Sequence, residues 1–379
     1  MDAEVGVIGV GTMGSMAMWQ MAKQGVSVVG FEQFGIGHDK SAAGGETRIY
    51  RTMYKEGSDY VPLLQESYNL WRKLEQESGS RLLEITKGLM IVKQNSISFN
   101  NIVKGATTYN IKHDIFSYNQ AKQLFPQHNL LPNDVVILDH MAGFIYAQHA
   151  IHKAASLAKQ NGGKIHTYTQ VKEIKVKKDF ITVVANNRKY KFRKVIITTG
   201  PWISQLFPQY KNQIEIRRLI GHWFATKNET QLRRDYPFIY MREVDEGIFY
   251  GLPSLDRNIV KVALSSVKDD SIQSISKFTK DIKVEEISLI NDIVKKYLPG
   301  LYPDPIRSST YIEGYTPDNN SIIGEVEGHN NIIIASGFSG HGFKISPLIG
   351  KIVTDLVLEK KSPYLLNKFK PNRFLGKTQ

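Results

Sequence analysis

The chain has 379 residues, of which 41% are hydrophobic and 22% charged, enough for about two globular domains and incompatible with global disorder. It contains no cysteine, which excludes disulfides, thiolate metal sites, iron–sulfur clusters and cysteine nucleophiles. Lysine and arginine number 49 against 36 aspartate and glutamate, and the net charge of +13 raises nucleic acid, a membrane surface or an anionic ligand as partners. The basic residues are scattered, which disfavours nucleic acid.

No apolar run approaches the roughly 20 residues that a membrane span needs. The apolar N-terminus carries Asp2 and Glu4 where a signal peptide has basic residues. We therefore expect a soluble, cytoplasmic protein that has no membrane partner.

The chain opens on a predicted strand–helix–strand unit. Residues 4–9 form an apolar run typical of a buried strand, and residues 10–14 lead into a predicted helix that reaches about residue 24 and ends at Gly25. Residues 26–31 predict a second buried strand. This order predicts a parallel α/β unit.

A glycine motif joins the first strand to the helix. Gly9, Gly11 and Gly14 have G-x-G-x-x-G spacing, and Glu32 follows the second strand. Gly9 permits a tight turn, Gly11 lets backbone amides approach a pyrophosphate, and Gly14 lets helix and strand pack closely. Glu32 can accept hydrogen bonds from a ribose hydroxyl. The motif predicts a dinucleotide site without distinguishing NAD from FAD.

The rest of the chain mixes helical and strand patterns. Helices are predicted over residues 60–77, 147–161, 284–297 and 346–358. Strands are predicted over residues 85–92, 164–168, 171–177, 180–185, 195–199 and 331–335, and residues 215–261 alternate as an antiparallel sheet does. Strand–helix units at both ends with antiparallel strands between them predict two interleaved domains, α/β in class and α+β overall.

Several further segments resemble the monomeric sarcosine oxidase and N-methyltryptophan oxidase family of FAD-dependent amine oxidases. The most specific is Gly337–Lys344, which reads GFSGHGFK. The others are Gly45–Arg51, Thr198–Trp202, and Tyr250–Pro253 with Lys261 behind it. The similarity runs in register from residue 4 to about residue 360.

The resemblance implies a Rossmann-type FAD-binding domain built from residues 1–85, 145–215 and 312–379. It also implies a substrate domain, residues 86–144 and 216–311, whose antiparallel sheet covers the flavin. The positions implied to contact FAD are Gly9, Gly11, Thr12, Met13, Gly14, Glu32, Thr47, Arg48, Val171, Gly200, Trp202, Gly340, His341, Gly342, Phe343 and Lys344.

The resemblance also assigns substrate contacts. Arg51 and Lys344 match residues that bind the substrate carboxylate, a sound arrangement because charge-assisted hydrogen bonds contribute about 1.5–3 kcal/mol each. Tyr250 and Met241 match other pocket residues. Arg48 matches an arginine that lies against the flavin ring, and the turn before Lys344 brings a helix N-terminus to the flavin pyrimidine.

Lys261 matches a lysine that activates oxygen. A cation beside the flavin stabilises superoxide as the first electron leaves, and its presence favours an oxidase over a dehydrogenase. The alternative is a strand lysine that faces solvent. Because Val260 and Val262 flank Lys261 in an alternating strand, the sequence does not determine which face of the sheet carries the Lys261 side chain.

Three positions depart from the family pattern. Tyr311 stands where the family has the cysteine that binds FAD covalently, so we expect non-covalent FAD. Glu313 stands where the family has an active-site tyrosine, and its carboxylate either favours a cationic group on the substrate or turns away. Ser265 stands where the family has an active-site histidine, and these departures make sarcosine itself a doubtful substrate.

We therefore expect an FAD-dependent oxidase of a secondary or N-substituted amino acid, acting as a monomer. Hydride transfer from the free amine to flavin, imine hydrolysis and reduction of O2 to hydrogen peroxide would complete the reaction. One rival is a related flavoprotein that oxidises another amine or uses another electron acceptor. Others are a nucleic-acid-associated flavoprotein and a protein that binds flavin without turnover.

Overall fold

The structure, a computed structural model, describes residues 1–227, 239–253, 259–266 and 271–374. Parts of the predicted antiparallel segment 215–261 and of the predicted domain segment 312–379 lie outside these residues. The described helices are α1 Thr12–Lys23, α2 Val61–Ser78, α3 Ile97–Thr108, α4 Tyr118–Leu124, α5 Ala147–Gln160, α6 Ile203–Leu206, α7 Val284–Tyr297 and α8 Ser346–Val357.

The described strands belong to four sheets. They are β1 Val5–Ile8, β2 Val28–Phe31, β3 Thr47–Tyr50, β4 Leu83–Ile85, β5 Gly88–Lys93, β6 His113–Phe116, β7 Asp134–Asp139, β8 Gly143–Tyr146, β9 Lys164–His166, β10 Val171–Val176, β11 Ile181–Ala185, β12 Arg188–Phe192, β13 Lys194–Ile197, β14 Glu215–Ala225, β15 Ile239–Val244, β16 Gly247–Pro253, β17 Ile259–Ser266, β18 Ser271–Ile272, β19 Arg307–Tyr315, β20 Ile322–Val326 and β21 His329–Ser336.

A six-stranded sheet has the order β20-β21-β13-β1-β2-β9. β1 pairs in parallel with β2 and β13, and β13 with β21, so the carboxyl ends of these strands share one edge. Every residue of β1 and β2 is buried, because α1 and α8 cover one face of the sheet and the three-stranded sheet β10-β11-β12 covers the other. The predicted α/β fold is confirmed, and it gathers strands from both ends of the chain.

A larger sheet has the order β18-β14-β17-β16-β15-β5-β7-β6, and β19 also pairs with β14. Its strands are antiparallel except for the pair of β5 with β15, which is parallel. Apolar side chains on one face, including Phe224, Phe249 and Val262, pack against α7. The register places Met241, Tyr250, Lys261, Tyr311 and Glu313 together on the opposite face.

Several elements have no counterpart among the sequence predictions, notably α3, α4, β3, β8 and β19. The strand predicted over residues 85–92 is two strands, β4 and β5, because the chain turns at Lys87 with φ +64°. β3, β4 and β8 are three or four residues long and form a small sheet, β3-β8-β4, that carries Arg48. Segments this short have too few residues to show a clear period.

The domain ranges given above stay a prediction. In the described part of the chain, no helix is long and apolar enough to cross a membrane.

Candidate active site

The glycine motif lies where β1 turns into α1. Gly9 has φ +88°, and a Cβ there would lie 2.7 Å from the carbonyl oxygen of Thr198. A Cβ at Gly14 would lie 1.9 Å from the carbonyl oxygen of Gly9, so helix and strand require glycine at that crossing. A Cβ at Gly11 would meet no atom within 4 Å. The backbone thus requires glycine at Gly9 and Gly14, whereas Gly11 borders open space.

The open space above Gly11 is part of a cleft. Predicted residues that line it are Gly9, Gly11, Thr12, Met13, Glu32, Arg48, Val171, Gly200, Trp202, Glu313, Gly340, Gly342 and Phe343. The N-terminus of α1 opens on this cleft, and Gly11 supplies no side-chain cap for the helix amides. A cleft with uncapped amides beside a glycine turn fits a dinucleotide pyrophosphate.

Glu32 is buried at the end of β2. Its Oε2 accepts a hydrogen bond from the amide of Val10 at 3.0 Å, and its Oε1 accepts one from the amide of Phe34 at 2.9 Å. Nε2 of His38 lies 3.5 Å from Oε1. The carboxylate therefore holds the two turns that frame the cleft and still borders it.

Lys261 is buried on the inner face of the larger sheet. Its Nζ donates hydrogen bonds to the carbonyl oxygens of Gly45 at 2.8 Å and Thr47 at 2.9 Å. Burial, and next the charge of Arg48, hold the pKa of this amine well below its usual value. The solvent-facing alternative for Lys261 is therefore wrong.

Arg48 and Tyr311 meet beside the glycine-rich segment 44–45. The Arg48 guanidinium donates hydrogen bonds to the carbonyl oxygens of Thr47 and Ala42, and its Cζ lies 5.8 Å from the centre of the Tyr311 ring. A Cβ at Gly44 would come within 2.3 Å of that ring. Tyr311 thus packs against backbone that only glycine allows so close.

Arg51 follows β3 and already holds a carboxylate. Its Nη2 lies 2.7 and 2.9 Å from the two carboxylate oxygens of Glu56, and its Nη1 donates to the carbonyl oxygen of Met53 at 2.8 Å. Burial raises the pKa of Glu56, but the Arg51 charge and hydrogen bond outweigh it and lower that pKa to about 2. No sequence motif marks Glu56, which lies in a loop between β3 and α2.

Lys344 lies at a single 3-10 turn, Phe343–Ile345, that precedes α8. Its Nζ donates to the carbonyl oxygen of His341 at 3.0 Å and lies 5.4 Å from the centre of the Tyr54 ring. Burial, with the charge of Arg51, lowers the pKa of Lys344 to about 7. Two buried cations, Arg51 and Lys344, therefore lie close enough to affect each other's charge.

Six other predicted residues lie outside the cleft lining. Gly14 and Thr47 are buried, and His341 packs edge-on against Tyr54 and Tyr60. Met241 and Tyr250 are paired neighbours on β15 and β16. Ser265 is exposed near the end of β17, opposite Ile248. Ser265 shares the sheet face of Tyr250 and Lys261, and its predicted role in the pocket stays a prediction.

Asp139 holds the backbone that carries Arg51, a role without any sequence signal. Its Oδ2 accepts from the amides of Thr52 at 2.9 Å and Met53 at 3.0 Å, and its Oδ1 accepts from the amide of Met141 at 2.9 Å. The side chain is buried at the end of β7. It therefore determines where the Arg51 loop leaves the sheet.

The variant Asp139→Asn is expected to lose about 1–3 kcal/mol of unfolding free energy, because its NH2 group would face at least one buried amide donor. Carboxylate ligands should also bind it more weakly. Urea denaturation of Asp139→Asn and of Asp114→Asn measures the effect. Asp114 is half-exposed and pairs only with His140, so its variant should stay within about 0.5 kcal/mol of the parent. Equal losses in the two variants would contradict the role of Asp139.

Lys344 predicts a pH dependence of carboxylate binding. An anion binds the protonated amine, so above pH 7 binding must take up a proton, and Kd should rise by up to about tenfold per pH unit. The pKa of Glu56 is about 2, that of His341 is lowered to about 4, and that of Tyr54 is raised, whereas burial raises the pKa of Glu313, so Glu313→Gln is titrated in parallel to separate its contribution. Calorimetric titration with 3,3-dimethylbutyrate between pH 6 and 9 tests this. A slope that persists in Lys344→Gln would refute it.

Comparison with known proteins identifies relatives along the whole chain. The FAD dependent oxidoreductase family (DAO) matches residues 4–356. Monomeric sarcosine oxidase of Streptomyces avermitilis is 27% identical over 373 residues, covering 98% of this chain and 97% of that protein. Peroxisomal sarcosine oxidase of Homo sapiens is 28% identical, covering 98% and 96%.

A solved structure shares the fold. L-proline dehydrogenase from P. horikoshii superposes with a TM-score of 0.85 at 22% identity, covering 98% of both chains. The family match spans nearly the full length and includes the glycine turn, the Arg51 loop and the Lys344 turn. The chain therefore belongs to the FAD dependent oxidoreductase family.

Proposed function

We propose that this FAD-dependent oxidoreductase oxidises a secondary or N-substituted amino acid and passes the electrons to O2, forming hydrogen peroxide. The observation that carries the proposal is the pair of buried cations, Arg51 and Lys344, beside the cleft. Arg51 already binds a carboxylate, that of Glu56, with Nη2 near both oxygens. A substrate carboxylate that replaces Glu56 would have the same partners.

The residues of the cleft divide between cofactor and substrate. The α1 N-terminus and the glycine turn would hold the FAD pyrophosphate, and Glu32 would accept hydrogen bonds from the ribose. FAD supplies the hydride acceptor. With no cysteine in the chain, a cysteinyl–flavin bond cannot form. The proposed FAD is therefore bound non-covalently.

The substrate domain supplies the remaining groups. Met241 and Tyr250 lie on the same face of the sheet as Lys261 and would bound the space for the amine substituent. Clamping the carboxylate orients the carbon that loses hydride. Water then hydrolyses the imine that leaves the site. Lys261 would stabilise the negative charge that develops on oxygen.

A second candidate is an amino acid dehydrogenase that passes its electrons to an acceptor other than O2. The fold shared with L-proline dehydrogenase favours it. Anaerobic reduction by substrate followed by exposure to air distinguishes the two. Fast reoxidation with stoichiometric peroxide supports the oxidase, and slow reoxidation supports the dehydrogenase.

The purified protein should be yellow, and acid precipitation should leave the flavin in the supernatant. Anaerobic screening against N-methyl and cyclic amino acids should find one that bleaches the flavin. Flavin in the pellet would contradict non-covalent binding. A protein that no amino acid bleaches would contradict the amine-oxidising function.

A further inference from the structure

Glu313 lies on β19, on the face of the larger sheet that carries Tyr311 and Lys261. Its side chain borders the cleft together with Gly340 and Gly342. Its Oε2 is buried and has no hydrogen-bond partner among the described residues. A buried carboxylate oxygen without a partner is costly, so this atom is a strong candidate to bind a ligand.

The neighbouring cations do not occupy that oxygen. Arg48 donates to the carbonyl groups of Thr47 and Ala42, Lys261 to those of Gly45 and Thr47, and Lys344 to that of His341. These three cations stabilise the carboxylate only through space. The cationic groups are therefore directed to backbone oxygens, and one acidic oxygen remains open, that is, without a hydrogen-bond partner, at a residue that borders the cleft.

The turn beside Glu313 requires glycine at Gly340. A Cβ there would lie 2.6 Å from the Tyr315 hydroxyl and 3.3 Å from Oε2 of Glu313, and Gly340 has φ +79°. Gly340 belongs to the turn that carries Lys344. The open oxygen of Glu313 thus lies near the turn that supplies one carboxylate-binding cation.

The other charged and titratable groups around Glu313 come from several elements. Arg48 on β3, Lys261 on β17 and Lys344 before α8 interact with its charge, and Tyr315 on its own strand contributes a hydrogen bond. Burial outweighs them and raises the pKa of Glu313.

Two more groups complete the surroundings of Glu313. Tyr250 on β16 faces it, and Arg217, its register partner on β14, is paired with Glu215. A further positive charge, on a ligand beside the unpartnered oxygen, would stabilise the ionised form of Glu313.

We propose that Glu313 recognises the cationic amine of the incoming substrate, so that the enzyme selects amino acids that enter as zwitterions, and that the ammonium proton then passes to the Glu313 carboxylate to leave the free amine that loses hydride. The inference rests on the proposed function, because it takes the substrate carboxylate to lie on Arg51 and Lys344. Glu313 then supplies the opposite charge at the other end of the ligand. The site pairs each charge of a zwitterion with a group of opposite sign.

Two ligands of nearly identical shape test the charge alone. Trimethylglycine carries a permanent cation and a carboxylate, whereas 3,3-dimethylbutyrate has carbon in place of nitrogen and no cation. Neither has an amine lone pair, so neither is oxidised. Calorimetric titration of the holoenzyme should give at least about tenfold tighter binding of trimethylglycine, equal to about 1.4 kcal/mol. Equal affinities in the parent enzyme would overturn the inference without any variant.

Three variants test whether Glu313 causes the preference for trimethylglycine over 3,3-dimethylbutyrate. Glu313→Gln keeps the size of the side chain and should abolish the preference, whereas Glu313→Asp keeps the charge and should retain it. Glu56→Gln is the matched control, because Glu56 is the acidic group on the carboxylate side. It should shift the affinities of both ligands together and leave their ratio unchanged.

The outcomes separate this inference from the proposed function. A preference that survives in Glu313→Gln, or disappears in Glu56→Gln, overturns the role of Glu313 while the oxidase remains intact. Failure of both ligands to bind the parent holoenzyme contradicts the carboxylate site, and the inference with it.

Discussion

Lys261→Met is expected to slow reoxidation of the reduced enzyme by O2 at least about 100-fold, the cost typical of removing one preorganised charge-stabilising group. Reduction by substrate should change far less, because Lys261 donates to the carbonyl oxygens of Gly45 and Thr47 and is not one of the two cations proposed to hold the carboxylate. Methionine has a similar length and no charge. The variant therefore tests the cation and not the volume of the side chain.

Lys261 also predicts the pH dependence of reoxidation. Burial, with the charge of Arg48, lowers its pKa, so the cationic fraction falls as pH rises through the lowered value. Reoxidation of the parent enzyme should slow with rising pH. In Lys261→Met this dependence should be absent.

Stopped-flow measurement of the two half-reactions separates these effects. Lys93→Met is a suitable control, because Lys93 is an exposed lysine of the same sheet that pairs with Asp245. It should leave both half-reactions unchanged. Equal slowing of reduction and reoxidation in Lys261→Met would discredit the proposed role.

Arg51→Gln is expected to weaken carboxylate binding by about 10- to 150-fold, since a charge-assisted hydrogen bond contributes about 1.5–3 kcal/mol. It also leaves Glu56 without its partner, and the negative charge so released repels an incoming carboxylate. Titration with 3,3-dimethylbutyrate measures the affinity. An unchanged Kd would show that the substrate carboxylate binds elsewhere.

Glu56→Gln should act in the opposite direction. In the described structure Glu56 occupies the guanidinium of Arg51, so a substrate carboxylate must displace it. Removing its charge should tighten 3,3-dimethylbutyrate binding by up to about tenfold. Weaker binding in this variant would mean that Glu56 assists the ligand and does not compete with it.

The parallel unit at the N-terminus was predictable because its signals are local. A run of apolar residues, a helix of 12 residues and the glycines between them lie within 31 residues, and steric contacts at Gly9 and Gly14 impose the residue type. The Lys344 turn was predictable for a similar reason, since its residues are consecutive in the chain.

Other residues of the site carried no such signal. Asp139 and Arg51 are 88 positions apart, yet the carboxylate of Asp139 binds the backbone that follows Arg51. Glu56 is an ordinary loop glutamate until the fold brings it to Arg51. Ser265 stays a prediction, since it shares the sheet face of Tyr250 and Lys261 and is exposed near the end of its strand.

The sequence by itself determined the dinucleotide turn, the absence of a cysteinyl–flavin bond and the residue types available to the site. Zero cysteines is a covalent fact that no fold can change. Tertiary structure alone decided the inward face of Lys261 and the open oxygen of Glu313. Both depend on sheet register and on backbone carbonyls that come from distant segments, and alternation along one strand cannot specify which face meets them.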